Sequence, residues 1–247
     1  MKYFISSDIH SAYTPWIMAL LNVGFDIGNE EHILIVCGDL FDRMPEPRET
    51  FNFAKQMYDR GRLIYVRGNH EDLLKECMEE VRAGKVPSMH HFSNGTVETI
   101  CRFCGQSEWI IYDPTYTDVI CETMQPILDF IDKACVDYYE TNDCIFIHSC
   151  LPIVEDGADW RNADEKSWKD ARWGNPFLQA ASRGRCSNND KTLVFGHYHA
   201  SYARATFDGE PEFGKDANFD IYYGDGFIGL DSCVAYTGKC NVLVWEE

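Results

Sequence analysis

The sequence predicts an α/β fold (α+β in some classification schemes) whose amino-terminal half is a βαβαβ unit with parallel strands. One observation is that short apolar, β-branched segments typical of buried strands recur, separated by segments with helical spacing. Another is that polar residues follow these segments at Asp8, Asp39 and Asn69, which are 31 (39 − 8) and 30 (69 − 39) residues apart. Since that interval is the length of one strand-helix unit, we expect adjacent parallel strands.

Local patterns define the elements of this half. The predicted strands are Lys2–Ser6, Ile33–Cys37 and Leu63–Val66. The first predicted helix opens at Pro15-Trp16, where apolar residues begin to recur at helical spacing. The other two predicted helices are Glu49–Asp59 and Glu71–Val81, the second with acidic residues in its first turn. Right-handed crossovers would bring the carboxyl ends of the strands to one rim of the sheet, where ligands bind in open α/β sheets.

The segment from about Gly84 to Asp118 interrupts this alternation and is predicted to be an insertion that borders the site. Turn residues separate two short predicted strands in it, Thr96–Ile100 and Trp109–Tyr112. The insertion carries none of the candidate ligands, so we expect it to control substrate choice rather than chemistry. A long helix over Thr117–Tyr139 is predicted next, despite Pro126.

The carboxyl-terminal half returns to buried strands, at Cys144–His148 and Leu193–Phe195. Between them, Leu151–Asn188 is rich in Trp, Arg, Asp and Asn without clear periodicity, which is typical of a functional loop. The tail is predicted to form an antiparallel sheet with a turn at Thr237-Gly238. Its predicted strands are Tyr202–Phe207, Phe227–Leu230 and Asn241–Trp245. No internal repeat or linker is evident, so residues 1–247 are predicted to form a single domain.

Composition restricts the classes of function. The 247 residues carry a formal net charge of −18, and the pI is about 4.7. Because nucleic-acid binding depends on Lys and Arg neutralising phosphates, this charge disfavours a nucleic-acid partner. Bound divalent cations would reverse the sign locally, so an anionic phosphate substrate stays compatible with the charge.

The sequence also bears on location and redox state. No apolar run approaches the ~18 residues of a membrane-spanning helix, and the first predicted strand leaves no room for a signal peptide. We therefore expect a cytoplasmic protein without a membrane partner, and eleven cysteines that are mainly reduced. A zinc site formed by Cys101-x-x-Cys104 with His90 or His91 is conceivable, but the missing second Cys-x-x-Cys pair favours a plain loop.

Polar residues at the ends of the predicted strands form five blocks. The blocks are Asp8-x-His10, Gly38-Asp39-x-x-Asp42-Arg43, Gly68-Asn69-His70-Glu71, His148 and Gly196-His197-x-His199. In every block and in this order, the chain resembles the calcineurin-like metallophosphoesterases, which implies their four-layer αββα sandwich. The Asp-Arg and Asn-His-Glu details are similar to the serine/threonine protein phosphatase and dinucleoside tetraphosphatase branch. Met44, Ser149 and His199 depart from that branch, which leaves the substrate open.

The resemblance implies a site for two metal ions with seven ligands. Asp8, His10 and His199 would hold one ion, Asn69, His148 and His197 the other, and Asp39 would bridge them. Nitrogen and oxygen ligands without thiolate favour Mn or Fe, and Zn and Co are also compatible. Two such ions ~3.5–4 Å apart can clamp a phosphoryl oxygen and activate a shared water, which would attack phosphorus in line.

The remaining chemistry is assigned to residues beside these ligands. His70 is the candidate general acid for the leaving oxygen, and Asp42 would orient it and keep it protonated. Arg43 would bind phosphate oxygens with its planar guanidinium group, and Asn69 is also assigned to the substrate. Arg172 is a weaker candidate for a second phosphate contact. Its competitors are Arg67, Arg161, Arg183 and Arg185.

The leading hypothesis is a dinuclear phosphoesterase acting on a phosphomonoester, most similar to a serine/threonine protein phosphatase. The alternatives are a dinucleoside polyphosphate hydrolase, a small-molecule phosphodiesterase and a metal-poor scaffold that binds proteins, although no ligand of the pattern has been lost. Glu71 is expected to support the start of its helix rather than take part in chemistry. Three tryptophans are equally compatible with packing inside the loop and with binding substrate, namely Trp160, Trp168 and Trp173.

Overall fold

A computed structural model describes residues 1–156, 158–183 and 191–246. Its first sheet contains the strands of the amino-terminal half. These are β1 (Lys2–Ser6), β2 (His32–Cys37), β3 (Leu63–Val66) and β4 (Cys135–Val136), together with β10 (Leu243–Glu246). They lie in the order β10-β1-β2-β3-β4, with β1 to β4 parallel and β10 antiparallel to β1. The predicted βαβαβ unit with parallel strands is confirmed.

The second sheet is formed by residues of the carboxyl-terminal half. Its strands are β5 (Tyr139–Glu140), β6 (Cys144–Phe146), β7 (Thr192–Phe195), β8 (Tyr222–Gly224) and β9 (Phe227–Gly229). They lie in the order β5-β6-β7-β9-β8. Only the two edge pairs are antiparallel, whereas the central pairs β6-β7 and β7-β9 are parallel. The sheet is therefore mixed. Of the predicted tail strands, Phe227–Leu230 corresponds to β9, which is antiparallel to β8, and Asn241–Trp245 corresponds to β10, which is antiparallel to β1 of the first sheet.

Helices cover the outer face of each sheet. Those of the amino-terminal half are α1 (Tyr13–Asn22), α2 (Pro47–Asp59), α3 (Asn69–Arg82), α4 (Met89–Ser93), α5 (Thr96–Cys104) and α6 (Thr117–Ala134). Those of the carboxyl-terminal half are α7 (Glu165–Ala171), α8 (Pro176–Arg183), α9 (Ala200–Ala203) and α10 (Val234–Thr237). No helix among the described residues is long and apolar enough to cross a membrane.

Three apolar clusters show the predicted four layers. One lies between the sheets, where Ile5 and Ile35 of the first sheet meet Phe146 and Val194 of the second. The second lies between the first sheet and its helices, and the third covers the outer face of the second sheet. Trp160 and Trp168 are buried in this third cluster as packing residues, whereas Trp173 is 41% exposed.

The structure corrects several predicted elements. Thr96–Ile100 is not a strand but the start of α5, and Trp109–Tyr112 lies in a 3₁₀ turn. Tyr202–Phe207 is not a strand but covers the end of helix α9 and most of the π-helical turn that follows it. The long helix that was predicted to reach Tyr139 ends at Ala134, five residues earlier (139 − 134), where β4 begins. Cys101 and Cys104 lie in α5 rather than in a loop.

Candidate metal centre

The loops after β1, β2 and β7 carry an unusual concentration of left-handed backbone. Non-glycine residues seldom adopt positive φ, and such conformations cluster at functional sites because surrounding structure must hold them. Of the eight described non-glycine residues with positive φ, seven belong to these loops. They are Asp8, His10, Ser11, Asp39, Asp42, Arg43 and His197. The backbone of these loops is therefore held in unfavourable conformations that set the direction of the side chains.

Buried hydrogen bonds hold the loops of the first rim together. The backbone N–H of Asp8 donates to the carbonyl oxygen of Gly38 (3.1 Å), and that of His10 donates to Asp39 (2.9 Å). The Glu71 carboxylate, at the start of α3, accepts the backbone N–H groups of Gly68 (2.7 Å), Asp39 (3.0 Å) and Leu40 (2.9 Å). Glu71 thus fixes both its own helix start and the Asp39 loop, in line with its predicted supporting role.

Asp39 lies in two groups of potential metal ligands. In the first, ligand atoms of His10, Asp39 and His70 all lie within 4.8 Å of one another. Asp39 Oδ2 is 3.9 Å from Nε2 of both His10 and His70. Asp8 Oδ1 adds a further carboxylate oxygen 4.0 Å from His10 Nε2. Donor atoms that bind one ion at about 2.0–2.2 Å lie roughly 3–4 Å apart, so this spacing suits a metal.

The second group combines Asp39 with His148 and His197, again within 4.8 Å. His148 Nε2 is 3.5 Å from Asp39 Oδ1, 3.2 Å from His197 Nδ1 and 2.8 Å from Asn69 Oδ1. The other nitrogen, Nδ1, lies 2.9 Å from the carbonyl oxygen of Cys37 and carries the proton. Burial lowers the pKa of His148 well below its usual value, so Nε2 presents a lone pair. Lone pairs that converge in this way fit a cation.

The carboxylates of the site also need a positive partner. Burial raises the pKa of Asp39 well above its usual value, and the neighbouring charges of Asp8 and Glu71 raise it further. Burial likewise raises the pKa of Asp8, with a further contribution from Asp231. Because buried like charges are costly without compensation, bound metal would favour their ionised forms. The donor set and its electrostatics therefore fit a bound metal cation.

The two sheets meet at Gly196, the residue before His197. A Cβ atom at this position would overlap Asp8 Oδ2 and the side chain of Ser7. The absence of a side chain lets the backbone N–H of His197 donate to Asp8 Oδ2 at 2.9 Å. Glycine at position 196 is thus required by the close approach of the second sheet to the first.

His70 of the first group also forms a hydrogen-bonded chain with Asp42 and Arg43. His70 Nδ1 lies 2.7 Å from Asp42 Oδ2, and Arg43 Nη2 lies 3.1 Å from His70 Nε2. Guanidinium groups only donate, so Nε2 accepts and Nδ1 carries the proton that is donated to Asp42. His70 is therefore neutral in this arrangement, and burial and Arg43 lower its pKa well below the usual value. Asp42 thus accepts the Nδ1 proton of a neutral His70 ring, and its role in orienting His70 stays a prediction.

Two predicted site residues lie apart from the ligand groups. His199 does not join them among the described residues: its Nδ1 accepts the backbone N–H of Tyr202 at 3.1 Å, and its Nε2 lies 3.5 Å from Glu212. Arg172 is buried and donates to Asp72 (2.7 Å) and Asp137 (2.9 Å). Since both carboxylates neutralise its charge, its position does not support the predicted contact with phosphate.

Two of the competing arginines, Arg67 and Arg161, lie near carboxylates. Arg67 lies 3.8 Å from Asp72, and Arg161 binds Glu140 through two nitrogens at 2.9 and 2.7 Å. Arg185 lies outside the described residues, as does the side chain of Arg183. Within the described part of the chain, Arg43 is the arginine in contact with His70.

The sequence reasoning missed two residues that contact the site. Asp231 is buried near Asp8 and raises its pKa, and its backbone carbonyl accepts the N–H of Ala200. A carboxylate directly after the apolar run Phe227–Leu230 was the available signal, because the same arrangement marked Asp39. The second is Thr96, a residue of the insertion, whose hydroxyl donates to Asp42 at 2.8 Å. No local sequence pattern indicated that contact.

Comparison with known proteins identifies the family. The sequence pattern of the calcineurin-like phosphoesterases matches residues 1–224. The chain belongs to this family. Solved structures share the fold. A putative diadenosine tetraphosphatase superposes with a TM-score of 0.54 at 16% identity, and the match covers 100% of this chain and 95% of that protein. A cold-active protein-tyrosine phosphatase from a psychrophilic Shewanella superposes with a TM-score of 0.55 at 16% identity, and the match covers 100% of this chain and 75% of that protein.

Curated relatives match a shorter stretch. Bis(5'-nucleosyl)-tetraphosphatase PrpE (asymmetrical) from Bacillus velezensis is 36% identical over 76 residues, and that from Bacillus subtilis is 37% identical over 76 residues. Each match covers 28% of this chain. It spans 30% and 31% of the two relatives, under a third of their length.

Proposed function

We propose that this protein is a metal-dependent phosphoesterase that hydrolyses a phosphomonoester. The observation that carries the proposal is the position of Asp39, whose Oδ2 faces His10 while its Oδ1 faces His148. One carboxylate between two ligand groups is the arrangement that a dinuclear centre needs. The Asp42–His70–Arg43 chain next to it supplies groups for binding phosphate and for proton transfer.

Asp8, His10 and Asp39 are proposed to hold one ion, and Asp39, Asn69, His148 and His197 the other. Two ions in these positions, with Mn or Fe favoured, would stabilise negative charge on phosphoryl oxygens and lower the pKa of an attacking water. His199, which contacts Glu212, is left out of the first group, in contrast to the assignment made from the sequence.

Arg43 and His70 are proposed to act on the substrate itself. The Arg43 guanidinium carries donors that match phosphate oxygens, and its present acceptor is His70 Nε2. A substrate phosphate that draws Arg43 away would free Nε2 to take up a proton from solvent before the attack and then to deliver that proton to the leaving oxygen. Asp42 holds Nδ1 at 2.7 Å throughout, so the ring would stay oriented.

The favoured substrate is a phosphoserine or phosphothreonine in a protein. This choice is supported by features similar to the serine/threonine protein phosphatases, namely the Asp42-Arg43 and His70-Glu71 pairs and the tail from Gly229 to Trp245. A dinucleoside polyphosphate is the second candidate, supported by the 76-residue similarity to the two Bacillus tetraphosphatases. We further propose a single domain over residues 1–247 and a cytoplasmic location; the family match over residues 1–224 is compatible with both.

Metal analysis together with a substrate panel tests the proposal. Purified protein should contain close to two equivalents of transition metal and hydrolyse p-nitrophenyl phosphate when Mn is added. Phosphopeptides, diadenosine tetraphosphate and a cyclic nucleotide then rank the substrate classes by kcat/KM. Less than about one equivalent of metal, with no hydrolysis in added Mn, would favour a protein-binding scaffold instead.

A further inference from the structure

The insertion touches the proton-transfer residues directly. Thr96, the first residue of α5, donates its hydroxyl proton to Asp42 Oδ2 at 2.8 Å. The same oxygen is 2.7 Å from His70 Nδ1. Thr96 and Asp42 are both completely buried, so water does not compete with this bond. The carboxylate that orients His70 is thus itself oriented by a residue of the insertion.

Gly95 provides a second, independent contact at the same place. Its φ is +84°, and a Cβ atom there would lie 2.8 Å from the backbone nitrogen of Arg43 and 3.2 Å from its Cα. Asp42 and Arg43 have φ values of +78° and +62°, in the left-handed region that such residues seldom adopt. The start of α5 therefore packs against the turn that presents both side chains to the site.

The start of α5 also suits a negative charge. The first turn of a helix carries partial positive charge from its unpaired N–H groups, which favours a nearby carboxylate. Burial raises the pKa of Asp42 to about 6, and hydrogen bonds from Thr96 and Thr99 oppose that rise. Both threonines are buried residues of α5. The insertion helix thus helps to keep Asp42 in its acceptor form.

We propose that Thr96 is a positioning residue, which acts through Asp42 to hold the His70 ring in line for proton transfer. This inference rests on the proposed phosphoesterase function. The insertion was expected from the sequence to control substrate choice rather than chemistry. In this proposal, the start of α5 also supports catalysis, through Thr96. Thr96 does not touch substrate or metal in this assignment.

The test compares Thr96→Val, which removes only the hydroxyl, with Thr96→Ser, which retains it. Thr96→Val should lower kcat on an alkyl phosphate about 5- to 50-fold, a part of the ~10²–10⁴-fold that a general acid contributes. On p-nitrophenyl phosphate, whose leaving group needs no proton, the loss should stay below about threefold, with KM unchanged on both substrates. Thr96→Ser should restore most of the rate.

Thr50→Val is the matched control, because Thr50, in α2, is also completely buried but its hydroxyl donates to the backbone oxygen of Glu46, the N-cap of α2. It should lower stability without changing the ratio of the two rates. In the His70→Asn background, Thr96→Val should cause no further loss, since the residue through which it acts is gone. The NMR resonance of the His70 Nδ1 proton should shift in Thr96→Val, whether or not the protein is active.

The outcomes separate the two proposals. Wild-type protein that hydrolyses neither ester refutes the phosphoesterase function. Active wild type with an equal loss on both esters in Thr96→Val, an unchanged rate on the alkyl phosphate, or additive losses with His70→Asn each overturns the positioning role. An unshifted His70 proton resonance also overturns it.

Discussion

The rims of the two sheets contribute to the candidate site in different ways. The first rim supplies the ligand carboxylates of Asp8 and Asp39, and backbone hydrogen bonds join its loops, such as that from His10 to Asp39. The second rim supplies the imidazoles of His148 and His197, which reach the first rim through side-chain contacts. His148 Nδ1 donates to the backbone carbonyl oxygen of Cys37 at 2.9 Å, and the backbone N–H of His197 donates to the Asp8 carboxylate at 2.9 Å.

This difference separates local from global requirements. The first rim is fixed within the βαβαβ unit, whose strands and loops are neighbours along the chain. The second ligand group exists only when the two sheets pack in the correct register, because Asp39 and Asn69 lie on one and His148 and His197 on the other. Metal affinity at the second group should therefore report on the packing of the sheets.

Asp39→Asn removes the charge that both ligand groups share and should have the largest effect. The amide keeps the shape and can still accept the backbone N–H of His70, which donates to Asp39 Oδ1 at 2.9 Å. We expect metal content to fall at both positions and activity to drop to background, measured by elemental analysis and p-nitrophenyl phosphate hydrolysis. The exposed Asp59→Asn serves as the control, and two full equivalents of metal in Asp39→Asn would refute the shared role.

His70→Asn tests whether the first rim supplies the proton donor. We expect both metals to remain and turnover of an alkyl phosphate to fall about 10²–10⁴-fold, the usual contribution of a general acid. The loss on p-nitrophenyl phosphate should be much smaller, because its leaving group departs without a proton. His32→Asn, at the opposite end of β2, is the control. Loss of metal in His70→Asn would instead make His70 a ligand of the first group.

Gly196→Ala should disturb the packing between the rims. The added methyl group overlaps Asp8 Oδ2 and Ser7, and overpacking in a buried position costs about 1–3 kcal/mol. We expect the free energy of unfolding of the metal-free protein to fall by this amount in urea, and metal affinity to weaken. Gly28→Ala, in a surface loop, is the control. Unchanged stability would show that the sheets separate easily at this position.

His199→Ala should have the smallest effect on the centre, because His199 contacts Glu212 and Tyr202 instead of the ligand groups. We expect metal content to stay the same and stability to fall by about 1 kcal/mol, since its ring accepts the N–H of Tyr202 as the N-cap of α9. Elemental analysis and thermal unfolding measure the two effects. A fall to one equivalent of metal would restore His199 as a ligand, as the sequence predicted.

The sequence predicted the first rim well because its signals are local. Apolar runs that end at Asp8, Asp39 and Asn69 at nearly equal intervals require only strand periodicity and right-handed crossovers. His148 and His197 also follow the ends of strands, β6 and β7. Their mutual distances depend on sheet packing, which no local pattern encodes.

The sequence predictions differ from the structure where contacts between residues far apart in the chain determine the conformation or the partner of a residue. In Thr96–Ile100, β-branched residues favoured a strand, but burial of one face against the first sheet and its helices selects helix α5. One of the two carboxylates that pair with Arg172 belongs to Asp72, one hundred residues away along the chain. The contact of His199 with Glu212 joins the two ends of the segment that contains α9 and the π-helical turn. Such pairings follow from tertiary structure and leave no periodic signal.

The central position of Asp39 has a thermodynamic consequence for metal uptake. If the two ions share this carboxylate, binding at either group changes the charge and geometry offered to the other, so the two affinities are linked by one coupling free energy. That coupling is reciprocal: whatever factor the first ion imposes on the second, the second imposes on the first. A metal titration should therefore depart from the curve of two independent sites, and Asp39→Asn should remove the departure along with the affinity.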